Sequence, residues 1–288
     1  MADILFHLSH RATFFLYGED AERYLNNQIT QDLRSLNPNQ TVYTLVTNAK
    51  GKLEADAYVR AWATSGKTGY LLDVEPELEE SFSLRLEKYV VADDVYVEKL
   101  DLAVWHSLEE PGPATCHEAR IFLANRVGQP GWDLIVPQGN EPYVGATSQS
   151  DRSAAWEELR VRAGVPRWGH ELTPETLAAE ALLEEKAISY KKGCYIGQEV
   201  ISRVKSVGRV NRRLVKWRLT QPLGFALPTS VFRASDSEGR AIGQITSLVG
   251  REGLGYLHRS IDSEQNEPLV IRAEGLEVSA EWLEVKQP

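Results

Sequence analysis

The residues best suited to chemistry lie in one short segment, Lys191–Glu199, with the sequence KKGCYIGQE. Cys194 follows two lysines, and a positive field favours the thiolate, the form of cysteine that acts as a nucleophile or soft ligand. Gly193 and Gly197 permit a tight backbone whose N–H groups stay open to a ligand. The segment therefore predicts a reactive thiol at Cys194, with a buried, inert cysteine as the alternative.

The chain of 288 residues has one other cysteine, Cys116, which lies beside His117 in a loop and is predicted to be inert. Two cysteines cannot form a disulfide framework or an all-cysteine metal site. The N-terminal residues include Asp3 and lack the apolar stretch of a signal peptide, and no apolar run reaches the roughly 18 residues of a membrane span. We therefore expect a cytoplasmic protein with no resident metal and no membrane contact.

Basic side chains are concentrated around the same segment, although the formal net charge of the chain is −9. Between Lys191 and Arg218 there are nine basic residues and one acid, Glu199. This basic segment indicates an anionic ligand or partner, or else a solvated face that neighbouring acids balance in space.

The elements that must position these residues have the pattern of an α+β fold with antiparallel sheets, because most predicted strands follow one another without a helix between them. Alternation and turn residues predict strands at 12–17, 41–47, 53–61, 69–75, 94–98, 101–107, 120–124 and 132–136. After about residue 206 only short strands follow, which predicts a small closed barrel or sandwich. These strands are expected at 213–219, 229–234, 240–248, 253–258, 268–273 and 276–285.

Four helices are predicted from capping residues and apolar spacing. One begins near Asp20 and turns Tyr24 and Leu25 inward. Another begins at Pro76, and a third at Asp151. A short fourth helix is expected from Thr173, with Pro174 at its first position. The inward-facing residues predicted for the second and third helices are Leu78, Phe82, Leu86 and Tyr89, and Trp156, Leu159 and Ala163.

The cysteine segment closely resembles the K-G-C-Y-x-G-Q-E motif of the YgfZ-type folate-binding proteins, relatives of the glycine-cleavage T-protein. Its motif positions in this chain are Lys192, Gly193, Cys194, Tyr195, Gly197, Gln198 and Glu199. Four further landmarks resemble the family in the same order along the chain: 16–32, 48–56, 156–166 and 241–247. The resemblance covers most of the sequence.

The resemblance implies three modules in a ring around a central hole, the T-protein type of fold with a C-terminal β-barrel. The first, folate-binding module is expected to be discontinuous, at 1–44 and 146–205, and to end in the cysteine motif. The second α+β module is expected at 45–145, and the β-barrel at 206–288.

The function that the resemblance implies is binding of tetrahydrofolate or a derivative and support of the assembly or repair of iron–sulfur proteins, and through them of tRNA modification. In the family, the positions of Cys194 and Lys192 are tied to that activity. Trp156 matches a tryptophan that lines folate, although its helical spacing equally suits the core, and Arg11 falls near another folate contact. We expect the basic segment to face the anionic glutamate tail of the folate.

Two alternatives remain open. A folate-dependent aminomethyltransferase of the glycine-cleavage type would use an aspartate near the pterin, and Asp56 occupies that register. Against it, a T-protein glutamate that would pair with the pterin is replaced by Arg162, which has no acceptor. An RNA-binding module would use the basic segment, but the aromatics there that could stack on bases are few: Tyr190, Tyr195 and Trp217. We therefore do not expect direct nucleic-acid binding, and whether a reaction is catalysed stays open.

Overall fold

The structure is a computed structural model that describes residues 5–8, 11–112, 119–140, 142, 149–224, 226–236, 239–261, 268–273 and 276–285. Within these residues, three antiparallel sheets surround a central cavity. No helix in the described ranges is long and apolar enough to cross a membrane. Cys116 lies outside the described residues.

The first sheet has five strands in the order β3-β4-β5-β2-β6, and all of its pairings are antiparallel. Its side chains alternate between two cores, as the period of two along a strand requires. On β2, Phe14 and Leu16 pack into the core beneath the helices, whereas Phe15 faces the second sheet. The strand bounds are Ala12–Tyr17 (β2), Val42–Thr47 (β3), Leu53–Thr64 (β4), Lys67–Val74 (β5) and Tyr96–Leu100 (β6).

The second sheet has four strands in the order β1-β7-β9-β8. It packs face to face with the first sheet through Phe6, Val104, Phe122 and Ile135. The strand bounds are Leu5–His7 (β1), Leu102–Ser107 (β7), Arg120–Ala124 (β8) and Gly131–Pro137 (β9).

The third sheet closes on itself as a six-stranded barrel in the order β10-β13-β12-β11-β14-β15, with β10 paired to β15. This confirms the predicted change to short strands and a C-terminal barrel. The strand bounds are Arg212–Leu219 (β10), Thr229–Arg233 (β11), Gly243–Val249 (β12), Glu252–His258 (β13), Leu269–Ala273 (β14) and Leu276–Glu284 (β15).

Five α-helices lie among the described residues: Ala21–Gln28 (α1), Glu79–Glu87 (α2), Gln149–Ala163 (α3), Glu184–Ala187 (α4) and Gln198–Val207 (α5). The first three confirm predicted helices. Tyr24 and Leu25 of α1 and Phe82 and Leu86 of α2 are buried as predicted. Tyr89 was predicted to face inward but is 39% exposed, because α2 ends at Glu87 and the chain leaves the core beyond it.

The short helix predicted from Thr173 is wrong, because residues 173–183 form turns. The hydroxyl of Thr173 accepts the amide of Glu175 at 3.3 Å, and that of Thr176 accepts the amide of Thr173 at 3.1 Å. Such local side-chain bonds compete with helical ones. Helices α4 and α5 were not predicted, and α5 begins inside the cysteine motif, at Gln198.

The division into modules stays a prediction, and its boundary after residue 44 falls inside strand β3.

Candidate functional site

A central cavity of about 610 Å³ lies where the two open sheets, α3 and the barrel meet. Its volume is in the range of small-molecule sites in proteins, about 300–1,000 Å³. The first sheet supplies Asp56 and Tyr58, helix α3 supplies Trp156, and the barrel supplies Thr246 and Ser247. The wall of the cavity thus combines residues that are far apart in the sequence, such as Asp56 and Ser247.

Three residues singled out from the sequence, Arg11, Asp56 and Trp156, line this same cavity. Cys194 and Lys192 are not among the residues that line it. The residues predicted from the sequence therefore lie in two places, the central cavity and the loop of residues 191–197, which we call the cysteine loop.

Asp56 is a buried acid in the cavity wall, only 5% exposed on strand β4. One carboxyl oxygen, Oδ2, accepts the hydroxyl of Tyr43 at 3.1 Å, whereas Oδ1 has no hydrogen-bond partner. Burial raises the pKa of Asp56 to about 6. A side chain with an unpaired oxygen and a pKa near neutrality can donate or accept a proton, and such groups are concentrated at functional sites.

Trp156 lies between the core and the cavity. Its ring centroid is 5.3 Å from that of Phe6 and 5.5 Å from that of His106, whose ring meets it edge-on. The side chain is partly buried and also lines the cavity. Trp156 therefore contacts the core and also lines the cavity, and its contact with a folate stays a prediction.

Arg11 is not a free cation. Its guanidinium bonds the carboxylate of Asp73 and donates to Glu75 at 2.7 Å and to the main-chain oxygen of Asp73 at 3.0 Å. Three of its five N–H donors are engaged and two carboxylates balance its charge, so Arg11 shapes the cavity wall and has little capacity left for an anionic ligand.

A buried network of charges lies between the two open sheets and reaches the cavity wall at Arg126, which was not predicted from the sequence. Arg126 bonds both Asp73 and Asp133 at 2.8–3.1 Å, and Arg60 joins the same two carboxylates. His106 Nδ1 lies 2.9 Å from Asp133. Burial acts to raise the pKa of both aspartates, but the arginines outweigh it and hold each pKa well below its usual range.

The opposite wall holds a second network, centred on Glu171, which is 1% exposed. Its Oε1 accepts the hydroxyls of Thr246 and Ser247, each at 2.6 Å. Its Oε2 accepts Arg160 at 2.9 Å and the amide of Arg167 at 3.1 Å. This carboxylate joins α3 to the barrel across the cavity wall.

No residue of the basic segment, Lys191–Arg218, lines the cavity. The lining therefore gives no support to the expectation that this segment faces the glutamate tail of a folate. The lining cations are Arg11, Arg126, Arg160 and Arg167, and each has carboxylate partners. Arg162 also lies outside the cavity, on the surface, where it pairs with Glu158 at 2.7 Å and with Glu252 at 2.9 Å.

The cavity residues fit a reduced folate, the group that the sequence resemblance implies. Trp156 offers an aromatic surface to a flat ring system, and Asp56 has an unpaired oxygen that can pair with a ring N–H. If bound, the folate would supply one-carbon chemistry, and the chain's own residues would position it and exchange a proton at Asp56.

The cysteine loop is held rigidly although its thiol is exposed. The ammonium of Lys192 is buried and donates to the main-chain oxygens of Asn26, Ile29 and Gln31 at 2.5–2.8 Å. Asn26 lies in the last turn of helix α1, whose carbonyls lack intrahelical donors, and Ile29 and Gln31 follow the helix. Burial lowers the pKa of Lys192 to about 8. Lys192 therefore ties the loop to α1.

The other end of the loop is fixed at Gly197, whose φ is +88°. A Cβ at Gly197 would lie 2.6 Å from the main-chain oxygen of Asn48, whereas a Cβ at Gly193 would meet nothing within 4 Å. Tyr195 is buried, while Cys194 is exposed as a free thiol. In the described part of the chain, no group of three or more acidic, histidine or cysteine side chains could hold a metal ion.

The chain is similar in sequence to known proteins over most of its length. An uncharacterized protein of Haemophilus influenzae is 29% identical over 256 residues, which span 86% of each chain. The human mitochondrial iron–sulfur cluster assembly factor IBA57 is 26% identical over 298 residues, 95% of this chain and 82% of its own. No family model matches the sequence.

Among solved structures, the glycine cleavage system aminomethyltransferase T of Bartonella henselae matches with a TM-score of 0.77. The match covers 97% of this chain and 84% of that one at 17% identity. The fold is that of the glycine-cleavage T-protein. The central cavity and the closed barrel of this chain are thus parts of a T-protein fold, as the sequence resemblance implied.

Proposed function

We propose that this chain binds tetrahydrofolate or a derivative in the central cavity and supports the assembly or repair of iron–sulfur proteins, with Cys194 as the reactive thiol. The observation that carries the proposal is the likeness to an iron–sulfur cluster assembly factor over 95% of the chain. The partners are then iron–sulfur proteins or their assembly factors, and tRNA modification depends on the chain through such clients. We place this activity in the cytoplasm.

The geometry supports a division of labour between two places. Asp56 and Trp156 line the cavity, where a folate would be held. Cys194 stands exposed on an anchored loop outside the cavity, where a second protein can reach it. The proposal therefore predicts that the two activities can be lost separately.

Folate binding is tested by calorimetric titration with tetrahydrofolate. Trp156→Ala should weaken binding by about 1–3 kcal/mol, the scale of one aromatic contact in a buried site. Trp282→Ala, on barrel strand β15 and outside the cavity, is the matched control and should leave binding unchanged. Absence of binding to the unaltered chain at about millimolar ligand, an affinity of only some 4 kcal/mol, would reject the folate site.

Support of iron–sulfur proteins is tested in cells that lack this chain. The unaltered chain and Cys116→Ser should restore the activities of iron–sulfur enzymes, whereas Cys194→Ser should not, since serine lacks the soft sulfur. Cys194→Ser should still bind tetrahydrofolate, because the thiol lies outside the cavity. Full restoration by Cys194→Ser would show that the thiol is not used.

A folate-dependent aminomethyltransferase is the second candidate, favoured by the fold and by the position of Asp56 in the cavity wall. It predicts that cells lacking this chain lose glycine-cleavage activity and that the Cys194→Ser variant restores that activity. The same cells therefore separate the two functions.

A further inference from the structure

The basic segment divides into two groups of side chains in the structure. Five of its nine cations make contacts within the protein: Lys192 bonds the end of α1, Arg212 pairs with Glu180, Arg218 lies 3.9 Å from Glu281, and Arg213 and Lys216 donate to main-chain oxygens. The other four are exposed, and none has a carboxylate partner among the described residues. We call these four residues, Lys191, Arg203, Lys205 and Arg209, the basic face.

Helix α5 carries Arg203 and Lys205 of the basic face, whereas Lys191 lies seven residues before the helix and Arg209 two residues after it. The helix contributes little to the core. Ile201 is its one buried residue, and Val207, in its last turn, is 61% exposed. Ten residues of α-helix extend about 15 Å. The helix begins four residues after Cys194, so the exposed thiol and the basic face belong to one continuous stretch of surface chain.

Charge distinguishes this surface from the rest of the chain. The nine basic residues and one acid of the basic segment belong to a chain whose net charge is −9, so the remainder is strongly acidic. An acidic protein would be repelled by most of the surface and attracted here, and such asymmetry steers both encounter and orientation.

The aromatic side chains of the segment do not suit single-stranded RNA. Trp217 is 1% exposed inside the barrel and Tyr195 is 7% exposed, so neither can stack on a base. Tyr190 is partly buried, and the ammonium of Lys205 lies 3.3 Å from its ring centroid. The face thus offers charge without a stacking platform.

We propose that the basic face is a docking surface for an acidic protein surface, that of the iron–sulfur protein or assembly factor that Cys194 serves. This inference rests on the proposed function and adds the partner's chemistry and place of contact. Docking on α5 sets the partner beside the exposed thiol, while the folate cavity stays free.

The test compares two variants of equal charge change. Arg203→Gln, Lys205→Gln and Arg209→Gln together neutralise three cations of the basic face. Lys88→Gln, Arg240→Gln and Arg251→Gln together neutralise three exposed cations elsewhere. The probe is poly-L-glutamate, titrated by fluorescence anisotropy at low salt and at about 0.15 M salt, where exposed charges are screened beyond about 8 Å.

We expect the unaltered chain and the control variant to bind poly-L-glutamate alike, and the basic-face variant to bind it about tenfold more weakly at low salt. In cells, the basic-face variant should lose most of the iron–sulfur enzyme activity that the control variant restores. Its binding of tetrahydrofolate should be unchanged.

Equal losses in the two variants, tighter binding of polyuridylate RNA than of poly-L-glutamate, or full cellular activity of the basic-face variant would each overturn the docking surface. Failure of the unaltered chain to restore any iron–sulfur activity would instead reject the proposed function. The two failures are thus distinguishable.

Discussion

Among single residues, Asp56 has the most direct effect on pH dependence. In an unfolded chain an aspartate ionises around pH 4, whereas burial raises the pKa of folded Asp56 to about 6. Between these pH values the folded state binds more protons than the unfolded state, so the free energy of unfolding falls as the pH rises. Above about pH 6 the full cost of burying the ionised carboxylate remains.

We therefore predict that Asp56→Asn has nearly the stability of the unaltered chain at pH 4 and is more stable by about 2–3 kcal/mol at pH 7. Urea unfolding at several pH values measures the difference. Asp101→Asn makes the same substitution at an exposed site outside the cavity and is the matched control. A difference that is constant with pH would contradict the assignment of a buried, ionising acid. The same variant should also bind tetrahydrofolate with a changed affinity, because an amide replaces the carboxyl in the cavity wall.

At the scale of elements, the cysteine loop depends on the end of helix α1. Lys192→Met keeps a side chain of similar length but leaves three main-chain oxygens without their donor. We predict a loss of about 1–3 kcal/mol in the free energy of unfolding and faster hydrogen exchange of the amides of residues 193–197. Lys191→Met removes an equal, exposed charge next to the same loop and is the matched control.

The two lysine variants also separate a structural role from an electrostatic one. If Lys192 acted on Cys194 only through its charge, both variants would slow alkylation of the thiol by iodoacetamide to a similar degree, with unfolding unchanged. If Lys192 ties the loop to α1, only Lys192→Met should destabilise it, and the iron–sulfur activity in cells should fall with that variant alone.

Elements whose signals are local could be predicted from the sequence. The apolar run Phe14-Phe15-Leu16 is typical of a strand buried on both faces, as β2 is. The spacing of Phe82 and Leu86 reports the period of helix α2. The turns after Thr173 were missed since hydroxyl bonds to nearby amides outweighed a favourable helix start.

The candidate site could be predicted only in part. The resemblance brought Arg11, Asp56 and Trp156 together, and the structure places all three in one cavity. The partners of Arg126 could not be predicted, because Asp73 lies 53 residues away along the chain and only the packing of two sheets brings it near. For the same reason, the exposed and internal parts of the basic segment were indistinguishable in the sequence.

At the scale of the whole molecule, Glu171 connects the barrel to the rest of the chain. Its carboxylate accepts four donors at 2.6–3.1 Å, from the barrel, from α3 and from the loop between them. Arg160, one of these donors, also lines the cavity. One buried ion pair thus contributes both to the attachment of the barrel and to the shape of the cavity.

We predict that Glu171→Gln lowers the free energy of unfolding by about 2–3 kcal/mol, because the buried Arg160 keeps Glu157 but loses its second carboxylate. It should also weaken binding of tetrahydrofolate, since Arg160 loses one of its fixed positions in the cavity wall. Differential scanning calorimetry and the folate titration measure the two effects.

Glu252→Gln is the matched control, because Glu252 also joins α3 to the barrel through Arg162 at 2.9 Å, but on the surface. An exposed pair contributes at most about 1 kcal/mol, so this variant should unfold nearly as the unaltered chain does and bind folate equally. If the two variants lost equal stability, the barrel would be held by its surface contacts and the buried carboxylate would not be the connection. If Glu171→Gln lost stability and kept full folate affinity, the attachment of the barrel would be independent of the cavity.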